Sequence, residues 1–465
     1  MARNEHRDLV LGIDIGTTSV KATIIEKSTK HIVQTQCRPT SAEHGSDVDV
    51  QANEQCSQRI CTALQHAVSM LKKDHLIHVK TIGVCGQMHG VVLWKSGEAW
   101  TRNNFGRCCT DKTSQLFTWQ DGRCSRAFLE TLPTPDSHLR LSTGHGCATL
   151  FWLQRHRPEF LEKFDRAGTI HDFIVAMLCE LDKPVMSTHN AASWGYYNTV
   201  TSEWNKEILS KHGFPVRLLP AVYRPDSVAG KLSEEWYGIL QGTVVKVALG
   251  DLQCSVMPAL RDDHDAVLNM STSAQLSFIM PMGFSPPPRA TLSPIEYFPY
   301  FQGRYLAVAA SLNGGNVLAA FVRMLQQWTH ELGLGVPENK IWEKILMLAA
   351  ETELNGNDVT VVPTIYGERH APEGKMSVCN ITSQNVTLGK VSRALCHSLI
   401  SNLRSMMSQE VLRRSDVRRI VGSGTALLKN RVLQEEFESQ YGLPLVFDEQ
   451  GSTDAAMGAA MAAIL

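Results

Sequence analysis

Residues 9–25 read LVLGIDIGTTSVKATII, an apolar run, a turn of small and hydroxyl-bearing residues, and a second apolar run. The pattern predicts two strands closed into a hairpin by Gly16, Thr17 and Thr18. Gly16 lets the backbone turn sharply and approach an anion with no side chain in the way. Thr17 and Thr18 add neutral donors. Asp14 sits beside them as an oxygen ligand for a hard cation such as Mg²⁺, which binds few protein groups and keeps part of its hydration shell. Lys21 points either at the same space or at solvent. An ordinary hairpin turn also favours Gly and Thr, so the phosphate-site reading depends on the rest of the chain.

The chain has 465 residues, enough for two large domains or several small ones. Its 43% hydrophobic content is ample for cores. Lys+Arg 45 against Asp+Glu 46 leaves no basic field, which argues against a nucleic-acid partner held by charge. No apolar run reaches the roughly 18 residues that span a bilayer, and the polar start MARNEHRD is not a secretory signal, so a cytoplasmic protein without a membrane partner is expected. The 12 cysteines form no CxxC pair and are expected to be free thiols in a reducing compartment. Cys108 and Cys109, adjacent in a polar loop, receive no role.

Working outward, Asn53 is the expected N-cap of a helix whose Ile60, Ala63, Leu64, Ala67, Val68 and Leu71 fall at helical spacing. A buried strand from Val79 to Cys85 then leads into the loop Gly86-Gln87-Met88-His89-Gly90, so the order strand, strand, helix, strand indicates a layered α/β domain. Residues 169–181 form an apolar helix carrying His171 and Asp172 in its first turn, and a strand from Val244 to Leu249 ends at Gly250-Asp251. Residues 265–280, DAVLNMSTSAQLSFIM, repeat the opening logic around Ser271-Thr272-Ser273. Two α/β halves follow, divided near residue 258, each starting with a phosphate-facing hairpin. After a proline-rich loop at 285–294 come a strand from Tyr305 to Ala310, a helix opened by Gly314-Gly315-Asn316, helices at 337–351 and 391–413, and a strand from Arg419 to Val421 running into Gly422-Ser423-Gly424. An alanine-rich helix starts at Asp454.

The segments GIDIGTTSVKA, GVCGQMHGVV, TWQDGRCS, AGTIHDF, NAASWGYYNT, VALGDLQCSV, SLNGGNVLA and VGSGTALLKN run through nearly the whole chain, and together they resemble the FGGY family of carbohydrate kinases. The resemblance implies an α/β, two-domain actin-like ATPase (ribonuclease H-like) fold with ATP and sugar in the interdomain cleft. Residues 1–258 would hold the sugar, the first phosphate motif and the catalytic Asp; residues 259–465 would hold the second phosphate motif and adenosine. The implied reaction is ATP-dependent phosphorylation of the terminal hydroxyl of the ketose sedoheptulose. Xylulose or another ketose is the alternative, and a non-catalytic actin-like nucleotide switch is the rival of a different class.

By position, the resemblance gives Asp14, Gly16, Thr17 and Thr18 to the first phosphate motif and Ser271, Thr272 and Ser273 to the second. Asp251, at a strand end, becomes the general base that accepts the sugar hydroxyl proton during attack on the γ-phosphoryl group; a turn or N-cap role is the plain alternative. Gln87, Met88 and His89 would contact the ketose. Trp119 would pack on sugar C–H groups while Asp121 accepts hydroxyl protons, and Arg123 either joins them or holds Asp121 in place. Asp172 and Asn190 are weaker sugar contacts, with helix capping a rival role for Asp172. On the nucleotide side, the helix opened by Gly314, Gly315 and Asn316 would face phosphate or ribose. Gly422, Ser423 and Gly424 match the adenosine motif, with Asn430 as an adenine contact. Many members carry Lys where Thr149 stands here, a departure from the usual signature that leaves the ATP chemistry untouched. The P-loop and protein-kinase motifs are absent, so the phosphate cradle is of the hairpin kind. Monomer and homodimer both remain open.

Overall fold

The opening hairpin forms the middle of a seven-stranded sheet. Leu9–Ile15 pairs antiparallel with Ser19–Glu26 and parallel with Val79–Gly86, and Ile32–Pro39 continues the antiparallel side. Val244–Lys246 and Leu249–Gly250 extend the parallel side, and Val228–Lys231 forms its edge. Leu9–Ile15 is buried almost throughout, as a strand covered on both faces requires. The computed structural model describes residues 8–44, 53–103, 107–110, 112–289, 293–371, 373–447 and 454–465.

The second hairpin builds a second sheet on the same plan. Asp265–Met270 pairs antiparallel with Ala274–Ile279, which pairs antiparallel with Tyr305–Ser311, while Arg419–Ser423 and Leu445–Phe447 add in parallel on the other side. Ile295–Pro299 forms the edge. In both halves the first strand of the hairpin is central, flanked by its own return strand and by a parallel neighbour. The helix Thr188–Trp194 of the first half packs on Ile295–Pro299 of the second, and one apolar core includes residues of both, among them Trp194, Leu249, Phe298 and Val421.

Several local expectations shift. The helix after the first sheet's hairpin spans Ser57–Ser69 and is capped by Cys56. Asn53 instead holds a neighbouring loop, its carbonyl accepting from the Thr118 N–H at 3.1 Å. The strand expected over 244–249 breaks into two, and the helix expected over 391–413 divides into Leu388–Met406 and Gln409–Arg414, restarted by the Ser408 cap. The proline-rich loop lies partly outside the described residues. Among the described residues, no helix is long and apolar enough to cross a membrane, and all 12 cysteines are free.

The largest difference concerns the last helix. Ala455–Ala462, expected with the second half, crosses back and packs against Leu9–Ile15, Val79–Gly86 and Asp251–Val256 of the first. Small residues make this possible. A Cβ on Gly12 would stand 1.9 Å from the Ala456 carbonyl oxygen, one on Gly83 2.1 Å from that of Ala459, and one on Gly458 1.8 Å from that of Cys254.

Candidate active site

Three strand ends form the floor of the site. Parallel register sets Ile15 opposite Gly86, and Gly86 opposite Gly250. The next residues, Gly16, Gln87 and Asp251, therefore emerge side by side at the carboxyl edge, where open α/β sheets bind ligands. Asp14 lies one step back, paired with Cys85. Gln87 is tied down directly, its N–H donating to the Ile15 carbonyl at 2.9 Å.

Both hairpin turns are open to an anion. The Gly16 N–H closes the first turn on the Ser19 carbonyl at 3.0 Å, and the Ser271 N–H closes the second on the Ser273 carbonyl at 3.0 Å. The N–H groups of Thr17 and Thr18, and of Thr272 and Ser273, have no partner among the described residues. Each turn thus offers two adjacent backbone donors, the concave arrangement that binds phosphate.

The acidic groups cluster at the first turn. Burial, aided by Asp251 and Asp454, pushes the Asp14 carboxyl up to about 7, with Lys21 and the Cys85 thiol pulling the other way. Cys85 Sγ donates to Asp14 Oδ1 at 3.7 Å. Burial also raises the Asp251 carboxyl to about 6, against a 2.7 Å bond accepted by Oδ1 from the Leu252 N–H. Lys21 is half-buried and paired, its Nζ 3.2 Å from Asp454 Oδ2. Asp454, whose side chain caps the terminal helix through the Ala456 N–H at 2.9 Å, is a site residue the sequence marked only as a helix start.

On the sugar side, Trp119 Nε1 donates to Thr17 Oγ1 at 3.1 Å, which brings the tryptophan to the phosphate turn. Gln87 Nε2 donates to Gln55 Oε1 at 3.0 Å, and Gln55 Nε2 to the Thr17 carbonyl at 2.8 Å, so Gln55 is a second residue the sequence did not flag. Met88 rests against Gly250, its Sδ 2.7 Å from where a Cβ there would stand. His89 has φ 74° and its Nδ1 lies 2.9 Å from the Ser193 carbonyl oxygen.

Asp121, Asp172 and Asn190 sit differently from expectation. Asp121 is fully buried and both its oxygens are filled: Arg123 Nε donates to Oδ1 at 2.7 Å, Arg123 Nη2 to Oδ2 at 2.8 Å, the Arg123 N–H to Oδ1 at 3.1 Å and the Asn53 N–H to Oδ2 at 3.0 Å. The carboxylate and Arg123 shape the loop behind Trp119, and no oxygen is left for a sugar hydroxyl. Asp172 forms a capping box with Thr169, accepting from its N–H at 3.0 Å and its Oγ1 at 2.7 Å, and burial pushes its carboxyl up to about 7. Asn190, also fully buried, donates to Asp172 Oδ1 at 3.3 Å and to the Ala248 carbonyl at 3.1 Å. The capping role prevails for Asp172, and both side chains are fully buried.

On the other side, a chamber of about 600 Å³ is lined by Ser271, Thr272, Gly315, Asn316, Asn430 and a largely apolar wall that includes Leu318, Trp342 and Leu346. Trp342 lies on a helix whose spacing reads as core packing, so only the assembled fold identifies it. The start of the helix Gly315–Glu331 is not free to donate: Gly315 N–H bonds the Ser271 carbonyl at 2.8 Å, Asn316 N–H the Thr272 carbonyl at 3.0 Å, and Gly314 N–H Asn316 Oδ1 at 2.9 Å. These residues seat the second turn. Gly424 has φ 91°, and a Cβ there would meet the Met270 carbonyl oxygen at 2.3 Å. Gly422 closes on Phe447 in the same way, at 2.6 Å, while Ser423 Oγ turns to the Leu268 carbonyl at 3.4 Å. Asn430 reaches the chamber wall, but its Oδ1 caps the following helix through the N–H groups of Val432 and Leu433, at 3.0 and 3.3 Å.

Two sheets of one plan, each with a hairpin turn that leaves N–H groups free among the described residues, enclosing a recessed carboxylate, define a two-domain actin-like ATPase fold of the kinase type. Residues 9–258 match the N-terminal domain of the FGGY family of carbohydrate kinases. The chain is 48% identical over 468 residues to sedoheptulokinase of Homo sapiens, covering 98% of this chain and 97% of that protein, and 47% identical to the sedoheptulokinase of Mus musculus with the same coverage. Among solved structures, xylulose kinase from Rhodospirillum rubrum superposes with a TM-score of 0.80 at 19% identity, covering 98% of this chain and 89% of the other. This chain belongs to the FGGY family of carbohydrate kinases and is a phosphotransferase that acts on a small sugar.

Proposed function

We propose that this protein transfers the γ-phosphoryl group of ATP to the terminal hydroxyl of sedoheptulose, giving sedoheptulose 7-phosphate and ADP. The full-length likeness to the human and mouse sedoheptulokinases carries the choice of sugar. In this reading residues 1–258 supply the sugar site, the first phosphate turn and the base, and residues 259–465 the second turn and the adenosine chamber, except that the terminal helix supports the first half. The product is a sugar phosphate of the pentose phosphate pathway. The cytoplasm, where 12 unpaired thiols persist, is the assigned compartment.

The chemistry follows from what each group has free. Asp251 accepts the proton of the sugar hydroxyl as its oxygen attacks the γ-phosphorus, and the electron pair of the breaking bond passes to the β-phosphate oxygen. The unpaired N–H groups of Thr17, Thr18, Thr272 and Ser273 hold the phosphate oxygens in line. Asp14 suits Mg²⁺: it is a carboxylate crowded by Asp251 and Asp454, and the adjacent lysine is already paired. When bound there, Mg²⁺ offsets the negative charge of the phosphates. Closing the cleft excludes the water that would otherwise take the phosphoryl group.

The reading is tested by ADP release with sedoheptulose, xylulose, ribulose and glycerol. Sedoheptulose is expected to give the highest kcat/KM. A higher value for xylulose would change the substrate and keep the mechanism; no stimulation by any of the four would reject the kinase reading of this chain. The pH dependence is a second test. A base raised by burial to about 6 is active only when deprotonated, so kcat/KM for the sugar should rise through about pH 6 and level off above pH 7. A profile flat from pH 5 to 8 would rule out Asp251 as the titrating base.

A further inference from the structure

A small cavity lies beside His89, the residue that follows Met88. Met88 sits against Gly250, and the next residue, His89, stacks on His145 with ring centroids 4.7 Å apart and 5° between planes. Both rings line a cavity of about 60 Å³ whose second-half wall includes Glu296, Phe298, Arg369 and His370. That volume takes roughly two to four water-sized groups. A seven-carbon ketose exceeds a five-carbon one by two hydroxymethylene units, which is about that size.

The walls offer complementary chemistry. The contact between His89 Nδ1 and the Ser193 carbonyl at 2.9 Å places the proton on Nδ1 and leaves Nε2 as an acceptor. Burial holds the His89 ring neutral, its pKa lowered to about 4, with Arg369 acting in the same direction. Arg369 also opposes protonation of His145. Its own side chain is exposed and makes no hydrogen bond or ion pair among the described residues. The residue before it is fixed: Glu368 is buried and accepts from Ser311 Oγ at 2.5 Å, the Leu312 N–H at 3.0 Å, Asn313 Nδ2 at 2.9 Å and Asn402 Nδ2 at 2.7 Å. A guanidinium with unoccupied donors is thus held at the cavity by a rigid anchor on the loop that leads to Gly314 and the second phosphate turn.

The geometry points to Arg369 as a substrate-binding residue that selects ketose length: it donates to the oxygens at the carbonyl end of the sugar while the terminal hydroxyl lies at Asp251. In this proposal a five-carbon ketose engaged at Asp251 leaves the Arg369 donors unused. This inference rests on the sugar-kinase reading of the Asp251 site.

The test compares wild type, Arg369→Ala and Arg369→Lys on sedoheptulose and xylulose at saturating ATP. Because Arg369 is exposed, the fold is expected to survive either change. In Arg369→Ala the KM for sedoheptulose should rise about 10- to 100-fold, while kcat stays within about threefold and the KM values for ATP and xylulose do not move. Lys should restore only part of the loss, since an ammonium lacks the planar fork. Unchanged sedoheptulose KM in Arg369→Ala, with wild type still preferring sedoheptulose, would overturn the role of Arg369 and leave the proposed activity intact. A wild type that prefers xylulose would overturn both the substrate and the length selection.

Discussion

Replacing Asp251 by Asn is expected to lower kcat by about 10²- to 10⁴-fold, the usual contribution of a positioned general base. Asn keeps the size of the side chain and an oxygen to accept the 2.7 Å bond from the Leu252 N–H, so the helix start is preserved. It cannot take up a proton from the sugar hydroxyl. The nucleotide side is untouched, because the donors of Thr17, Thr18, Thr272 and Ser273 are backbone groups on other segments. Coupled ADP release should therefore collapse while calorimetry shows ADP binding at wild-type affinity. Turnover within tenfold of wild type would remove Asp251 from the proton transfer. Loss of ADP binding together with activity would instead place it in nucleotide binding.

The second large effect is structural. Gly458→Ala should destabilise the protein by about 3 kcal/mol or more, the upper range for overpacking against atoms that cannot move. Helix propensity alone predicts the reverse, since Ala is better than Gly by about 1 kcal/mol inside a helix. The contact decides the sign. The added Cβ would lie 1.8 Å from the carbonyl oxygen and 2.6 Å from the carbonyl carbon of Cys254, both backbone atoms of the helix that begins with Asp251. Displacing the terminal helix also pulls Asp454 away from Lys21 and from the surroundings of Asp14. Thermal unfolding should move down by several degrees, with a parallel loss of kcat. A melting temperature equal to or above that of wild type would show that this helix docks more loosely than the glycine contacts imply.

Much of the architecture was legible because it depends on local patterns. Each hairpin announces itself by two apolar runs around a short turn of Gly, Ser and Thr, and the order of elements around it limits the sheet to an α/β plan. The site was legible less evenly. The role proposed for Gly16, Thr17 and Thr18 lies in the backbone of a turn, and a turn is encoded within a few residues. Asp121, Asp172 and Asn430 were harder, since a polar side chain is available to a ligand only if nothing nearby has claimed it. Arg123, Thr169 and the helix beginning at Arg431 claim these three. Asp454 and Gln55 show the converse: neither stands in a suggestive motif, and both gain their importance from partners in distant segments, Lys21 and Thr17.

By itself, then, the sequence determined the two hairpin turns, the strands that hold them and the presence of a carboxylate at the end of a strand, all properties of short stretches with strong conformational preferences. The tertiary structure decided which residues meet. The parallel register sets Gly16, Gln87 and Asp251 side by side, and the glycine contacts return the last helix to the first sheet. Packing between the halves brings Arg369 to His89. Those outcomes depend on complementarity between surfaces far apart in the chain, and no local stretch encodes them.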